Sequence, residues 1–438
     1  MKSRIGVGIV GFGTVGSGVA KILLHNAEII SRRVGVPVDL VRIVDLDVTR
    51  DRGVVLPPGI LSADLQGLLN DESVDIVIEL IGGYDVARRV ILEAITRGKQ
   101  VVTANKALLA VHGEDIFDAA VHAGVDVGFE ASVGGGIPIL HALTEGLAAN
   151  RCLSIVGILN GTANYILTKM QQEKQDFGEA LAQAQAAGYA EADPTFDIEG
   201  IDSAHKLTIM VNLAYGTPVT VKEVYTEGIQ RLTSLDIGFA GDFGMTVKLL
   251  GIAKWRDDGI EARVHPTMIP QSSPLAQVNG VFNAIHVVGD AVGDVMLYGQ
   301  GAGSMPTGSA VVSDVIAIGR NLLKSASGRV PPMSFQPDRR RSVRIRPMEE
   351  LTTRYYLRCM VIDRPGVLST ISGILGKHGI SIASVLQKGR QVGQTVPLVI
   401  MTHRASERAV QTALKEINGL ASVVAEPTTL VRIEESLM

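Results

Sequence analysis

The first 135 residues alternate short apolar runs with segments whose apolar residues recur at helical spacing. Ile5–Val10, Leu40–Val44, Ile76–Leu80, Gln100–Val102 and Val125–Phe129 read as strands, and Thr14–Leu24 and a segment from about Ala107 read as helices. Strands separated by helical crossovers predict an α/β fold with a doubly wound parallel sheet. Residues 136–320 read as a mixed α+β region with helices at Phe177–Ala187 and Ser203–Leu213. A helix near 305–325 is expected to pack back on the first domain. The stretch 325–353 reads as an exposed linker or extended edge segment. It carries Pro331, Pro332, Pro337 and Pro347 and a basic run, Arg339, Arg340, Arg341, Arg344 and Arg346, taken as a solvated face. Residues 354–432 then show strand, helix, strand, strand, helix, strand: Tyr355–Ile362, Val367–His378, Ile380–Gln387, Val396–Thr402, Ser406–Ile417 and Val423–Val431. That βαββαβ order predicts a ferredoxin-like unit.

Composition narrows the class. A chain of 438 residues holds two to four domains at about 150 residues each. Aromatics make up only 4% while 48 residues are glycine, which suits parallel α/β architecture. A net charge of -4 gives no reason to expect a nucleic-acid partner. The two cysteines, Cys152 and Cys359, form no ligand cluster and indicate neither a disulfide framework nor a zinc site. The run Met1–Val10 lacks the features of a signal peptide, and the sequence has no apolar run of membrane-spanning length. A cytoplasmic protein is expected.

Gly11-Phe12-Gly13-Thr14-Val15-Gly16 follows a strand and opens a helix. The first glycine permits the tight turn, the second lets a pyrophosphate approach the backbone, and the third lets helix and strand pack closely. The helix N-terminus offers N–H groups and a positive dipole end to the phosphates. Asp45 closes the second strand, 29 residues after Gly16, beyond the usual spacing of about 20. A carboxylate there accepts ribose hydroxyls and repels a 2′-phosphate, which favours NAD. Arg42, Arg50 and Arg52 lie close by in sequence and can hold a phosphate, and Asp45 can also be a plain strand-end turn residue.

The densest chemistry runs from Gly188 to Lys206, with Glu191, Asp193, Asp197, Glu199 and Asp202 ahead of the lysine. Asp202 and Lys206 are four apart at a helix start and share a face. Two readings stand: a solvated acidic loop with a surface ion pair, or a site for a zwitterionic substrate whose lysine handles a proton. His205 reads as structural. Lys106 directly follows a strand, where ligands of doubly wound sheets bind; the other reading is a surface lysine at a helix start. Gly299-Gln300-Gly301-Ala302-Gly303 is a second glycine turn before a helix, either closing over the cofactor or serving as a plain turn. Glu130–Pro138 reads from chemistry alone as a domain hinge, with carbonyls able to line an ion site.

These motifs, together with Gly157–Tyr165, occur in the order seen in homoserine dehydrogenases, and the chain resembles that family over roughly 1–325. The tail resembles an ACT domain, with Asp363-Arg364-Pro365-Gly366-Val367-Leu368 at its first strand–helix turn, as in the monofunctional bacterial enzymes. The resemblance implies reversible NAD(P)H-dependent reduction of aspartate 4-semialdehyde to homoserine, in threonine and methionine biosynthesis. It implies that Lys206 is the acid/base and that Asp202 positions lysine and substrate. Glu191, Asp197 and Gly188 match substrate-binding positions, and Lys106 lies at the cofactor–substrate junction. Cofactor-binding positions are Gly11 to Gly16, Asp45, Lys106 and Gly303. Glu130, Val133, Gly135 and Ile137 match positions that hold a monovalent cation, usually sodium, with Glu130 alone offering a side chain. Asp363, Gly366, Val367 and Leu368 mark the regulatory turn, threonine is the expected effector, and a homodimer or homotetramer is expected. Many relatives carry Arg before the acid of the second strand; here Val44 stands there, which tilts the expectation towards NAD. Neither cysteine has a nucleophile setting, which argues against an aldehyde dehydrogenase working through a thioester.

Overall fold

Six parallel strands carry the N-terminal chemistry: β1 (Ile5–Val10), β2 (Val38–Val44), β3 (Leu61–Ser62), β4 (Ile76–Glu79), β5 (Gln100–Thr103) and β6 (Val127–Gly128). In the computed structural model, which describes residues 2–388 and 393–435, their order is β3-β2-β1-β4-β5-β6. The chain reverses direction across the sheet between β1 and β4, so a crevice opens at the carboxyl ends of these strands. Every residue of β1 is buried, as expected for a strand covered on both faces. The short β3 was not foreseen, because two residues carry no periodicity.

Two compact units divide the chain. The first is Met1–Leu159, Asp202–Val224 and Phe282–Val343, and the second is Asn160–Ile201, Tyr225–Val281 and Arg344–Met438. In the first unit, helix Ser304–Lys324 packs on helix Thr14–His25 and on β1, burying Val311, Val312, Val315 and Ile318 with Ile5, Val7 and Ile9. Each such side chain contributes about 1.5–3 kcal/mol. The contact is close because Gly18 and Gly308 face it: a Cβ on Gly18 would lie 2.2 Å from the Ser304 carbonyl oxygen. The first unit also holds an antiparallel group of strands, Cys152–Ile158, Phe282–Gly289 and Gly293–Gln300.

In the second unit, Met245–Arg256 and Gly259–Pro270 form a long antiparallel pair. Gly259–Pro270 is buried along nearly its whole length, although it contains Glu261, Arg263 and His265. Burial on both faces removes the period-2 signal, and buried charges interrupt the apolar run, so the sequence reading of this region stopped at helices. The C-terminal module is ferredoxin-like: Thr352–Ile362, helix Val367–Lys377, Ile382–Gln387, Thr395–Thr402, helix Glu407–Asn418 and Val424–Ile433. Its last strand pairs with Thr352–Ile362 on one side and with Gly259–Pro270 on the other. The basic run is largely paired rather than bare: Arg340 meets Asp118 at 3.5 Å, and Arg346 meets Glu261 at 3.2 Å.

Candidate active site

Helix Thr14–His25 begins where β1 ends, and Gly13 has no side chain to cap it. Gly11 adopts φ +100°, and a Cβ there would lie 2.7 Å from the Leu80 carbonyl oxygen. At Gly16 a Cβ would fall 2.2 Å from the Gly11 carbonyl oxygen. A Cβ on Gly13, by contrast, would meet nothing within 4 Å, so the space over the turn is open. Thr14 is exposed there, Val15 is half-buried and Phe12 is buried. The first-turn N–H groups therefore fit a pyrophosphate. Gly303, at φ +121°, precedes helix Ser304–Lys324, and the Ser304 hydroxyl donates to the Thr14 carbonyl at 2.7 Å. The second glycine turn thus borders the first.

Asp45 is not a free strand-end acid. Its carboxylate accepts the N–H of Phe12 at 2.6 Å and of Asp47 at 2.9 Å, and pairs with Arg52 at 3.2 Å. The Arg52 guanidinium also lies 5.2 Å from the centre of the Phe12 ring. Arg42 points elsewhere, to Asp71 at 2.5 Å. Of the three arginines near Asp45 in sequence, Arg52 is the one that reaches it.

An acid and two lysines gather at the start of helix Ile201–Tyr215. Lys206 Nζ donates to Asp202 Oδ2 at 2.6 Å and to the Leu159 carbonyl at 2.7 Å. Lys106 Nζ lies 3.1 Å from Asp202 Oδ1. One carboxylate, 8% exposed, is thus shared by two lysines from different helices. The surface ion-pair reading of Asp202 and Lys206 does not hold, since Lys206 is only 10% exposed and the first turns of its helix are buried. Lys106 is more open, at 38%. Burial pushes the His205 imidazole below its ordinary range, in keeping with a structural role.

The loop that presents Lys106 is braced by its own Thr103 and Asn105 and by Glu79, which the sequence reading passed over. Glu79, fully buried at the end of β4, accepts the Thr103 hydroxyl at 2.7 Å and the Ile81 N–H at 2.7 Å. The Asn105 side chain caps helix Lys106–Ala123 by accepting from Leu108 N–H, and donates to the Gly83 carbonyl at 2.7 Å. A lone Glu at a strand end has no sequence signal; Asn before a helix is a recognisable cap.

The second unit carries the acidic loop. Gly188, at φ +74°, follows helix Phe177–Ala186, and the Thr162 hydroxyl holds the Tyr189 carbonyl at 2.7 Å. Asp197 accepts from the Asn160 side chain at 2.7 Å, and Asn160 also caps helix Gly161–Gln172. Glu191 is exposed, with its carbonyl held by Gln185 at 3.1 Å. Asp193 serves the loop itself by accepting from the Thr195 hydroxyl at 2.6 Å.

The Glu130 side chain is held by backbone that follows it in the chain. It is buried and accepts the N–H groups of Leu140 at 2.9 Å and His141 at 2.6 Å. The His141 ring bridges Glu130, at 3.3 Å, and Asp314, at 3.1 Å. Burial, with Asp314 nearby, raises the Glu130 carboxyl to about 7, and the Asp314 hydrogen bond raises His141 to about 9. The loop after Glu130 has Gly134 and Gly135 in the left-handed region, with Val133 and Ile137 buried. A Cβ on Gly135 would lie 2.5 Å from the Gly301 carbonyl oxygen, so the loop packs directly on the second glycine turn.

At the regulatory turn, Gly366 adopts φ +93° ahead of its helix, Val367 is buried and Leu368 is exposed. Asp363 N–H donates to the Gln394 carbonyl at 2.8 Å. Burial pushes the Cys152 thiol up to about 11 and raises Cys359 as well. A thiolate nucleophile is therefore disfavoured at both positions. Iodoacetamide at neutral pH is expected to leave Cys152 and Cys359 of the folded protein unlabelled; rapid labelling of Cys152, read by mass spectrometry, would bring back a thiol nucleophile.

Comparison with known proteins agrees with this geometry. Sequence models described as homoserine dehydrogenase, its NAD binding domain and the ACT domain match residues 138–316, 11–130 and 355–422. The chain is 46% identical to a homoserine dehydrogenase of Neisseria gonorrhoeae over 430 residues, covering 98% of each. It is 45% identical to that of Pseudomonas aeruginosa, again over 98% of each. Among solved structures, a homoserine dehydrogenase from Thiobacillus denitrificans superposes with a TM-score of 0.93 at 46% identity, covering 99% of this chain and 98% of that one. A hyperthermophilic archaeal homoserine dehydrogenase in complex with NADPH gives 0.62 at 27% identity, covering 73% and 98%. With an open dinucleotide turn, a buried acid shared by two lysines and this likeness along its whole length, the chain belongs to the homoserine dehydrogenase family, as an oxidoreductase with a Rossmann-type NAD-binding domain and a C-terminal ACT domain.

Proposed function

We propose that this enzyme reversibly reduces L-aspartate 4-semialdehyde to L-homoserine in threonine and methionine biosynthesis, with Lys206 as the proton-handling group. The observation that carries this reading is the Asp202 carboxylate shared by Lys206 and Lys106. A bound reduced nicotinamide supplies the hydride. As charge grows on the carbonyl oxygen, the Lys206 ammonium stabilises it and gives up a proton; in the oxidising direction the amine takes that proton back. An ammonium has three donors, and Asp202 and the Leu159 carbonyl take two, which leaves one to meet the substrate oxygen. Asp202 holds the lysine in place, and Lys106 serves the junction of cofactor and substrate. Glu191, Asp197 and Gly188 bind the polar end of the amino acid, where carboxylates suit the α-ammonium. In the test, aspartate semialdehyde is mixed with NADH or NADPH and the nicotinamide absorbance is followed. Rapid loss is expected; no loss with either cofactor, in folded protein, would sink the reading.

For the cofactor, Gly11, Phe12, Gly13, Thr14, Val15, Gly16 and Gly303 take the pyrophosphate side, and Asp45 takes the adenine ribose. Asp45 and Val44 favour NAD slightly. The preference is modest because Arg52, paired with Asp45, offsets the charge that would repel a 2′-phosphate. Arg52→Ala is expected to lower kcat/KM for NADPH at least about tenfold more than for NADH, the scale of one lost charge-assisted contact. Equal losses for the two cofactors would remove Arg52 from phosphate recognition. A monovalent cation, sodium by resemblance, is assigned to Glu130, the one position offering a side chain, and to the carbonyls of Val133, Gly135 and Ile137. The ACT domain takes an amino-acid effector, threonine by resemblance, with Asp363, Gly366, Val367 and Leu368 as the turn implicated. A homodimer or homotetramer is the assembly proposed.

A further inference from the structure

Glu79 stands where the N-terminal sheet changes direction. It closes β4, beside Val10 at the end of β1 and Thr103 at the end of β5. Ligands of doubly wound sheets bind at this place, outside the carboxyl ends of the strands. The side chain is fully buried, and its three donors are all uncharged. Burying an acid is costly, and an apolar residue would simply continue the buried Ile76, Val77 and Ile78 without that cost. A satisfied buried polar group does what an apolar side chain cannot: it fixes one arrangement of the backbone around it.

The two oxygens divide the work. Oε1 accepts the N–H groups of Ile81 at 2.7 Å and Gly82 at 3.2 Å, in the loop after β4. Oε2 accepts the Thr103 hydroxyl at 2.7 Å, where the loop after β5 begins. That hydroxyl oxygen in turn accepts the Asn105 N–H at 3.0 Å. Asn105 closes the circuit, because its side chain donates to the Gly83 carbonyl at 2.7 Å and caps the helix that begins at Lys106. The first loop needs such ties. Gly82 and Gly83 adopt φ +77° and +71°, have no side chain to anchor them, and border open space where a Cβ would stand. At the far end of the circuit, Lys106 Nζ lies 3.1 Å from Asp202 Oδ1.

We propose that Glu79 is a positioning residue of the reaction, acting through Thr103 and Asn105 to hold Lys106 at the shared Asp202 carboxylate. This rests on the proposed place of Lys106 at the cofactor–substrate junction. Misplacing a group there by about 1 Å can cost about 10²-fold in rate. A carboxylate only accepts, whereas a carboxamide has one accepting oxygen and an NH₂ that donates. In Glu79→Gln the oxygen keeps Ile81 and Gly82, and the NH₂ must face Thr103. The Thr103 oxygen then meets two donors, and its own proton has lost its acceptor. Thr103→Val cuts the same link from the other side with nearly the same shape.

The test is a double-variant cycle on kcat/KM for aspartate semialdehyde, at saturating nicotinamide cofactor, in the full-length enzyme. Glu79→Gln and Thr103→Val are each expected to lower it at least about tenfold, and Thr103→Ser, which keeps the hydroxyl, to recover most of the loss seen with valine. In the Lys106→Ala background the same two substitutions are expected to change it less than about twofold, because the group they position is gone. A merely structural role would carry its full loss into that background, and that result overturns the proposal. Wild-type kcat/KM in folded Glu79→Gln or in Thr103→Val overturns it as well. If Glu79→Gln does not fold, Thr103→Val decides by the same comparison. Wild-type kcat/KM in Lys106→Ala alone would remove Lys106 from the junction and the proposal with it, a failure of the underlying reading that the single variant shows by itself.

Discussion

Lys206→Ala is expected to lower kcat for aldehyde reduction by about 10²–10⁴-fold while leaving cofactor affinity near the wild-type value. The size follows from what the side chain supplies. Lys206 is buried, and its ammonium is aimed by two short bonds, to Asp202 at 2.6 Å and to the Leu159 carbonyl at 2.7 Å. An aimed donor meets the growing oxyanion with little reorganisation, which is where electrostatic catalysis is largest. The dinucleotide turn at Gly11–Gly16 belongs to other elements, so nicotinamide binding, read by quenching of protein or nucleotide fluorescence, has no reason to change. Lys106 shares the same carboxylate at 3.1 Å and gives the experiment its alternative. If Lys206→Ala keeps full turnover while Lys106→Ala loses it, the proton passes through Lys106.

Asp236→Ala is the second large effect, and it falls on stability. Asp236 is fully buried and accepts from Tyr356 at 3.0 Å, from Arg358 at 2.7 and 3.0 Å, and from Thr233 at 2.7 Å. Removing it leaves the Arg358 charge and the Tyr356 hydroxyl without their acceptor inside the protein. Breaking one side of such a buried pair costs about 3–5 kcal/mol. The expected result is a clear fall in the midpoint of urea unfolding, larger than for Arg358→Met with Asp236→Leu, which removes both charges together. A change below about 1 kcal/mol would mean that the pair is solvated, as exposed ion pairs are. Asp236 lies in helix Ser234–Asp242 and Arg358 in the first ACT strand, so the pair also fastens the regulatory module to the rest of its unit.

Much of the architecture is legible in the sequence. The alternation of apolar runs with helical periods set out five of the six parallel strands, because each is short, mostly apolar and flanked by glycine or polar turns. The ACT module was legible for the same reason, with boundaries within a few residues. Gly11, Gly13 and Gly16 announced their roles because a backbone that must turn tightly, lie open to a ligand or touch another backbone excludes side chains. Family resemblance brought Asp202, Lys206 and Lys106 forward; local spacing alone favoured a surface ion pair for Asp202 and Lys206.

Folding decided the rest. Spacing of four puts Asp202 beside Lys206, but only the packing of two distant helices makes that acid buried and brings Lys106 to it. Glu79 looks like any acid at a strand end until Thr103 and Ile81 close on it. Asp45 reads as an open ribose acceptor until Arg52 folds back over Phe12 to meet it. Nothing near Glu130 in sequence tells that the N–H groups of Leu140 and His141 donate to its oxygens. The common reason is range. Helix, strand and turn preferences come from neighbours within a few residues, so the local chain expresses them. The charge state, partners and exposure of an ionisable group depend on which distant groups exclude water around it, and the fold alone brings those together.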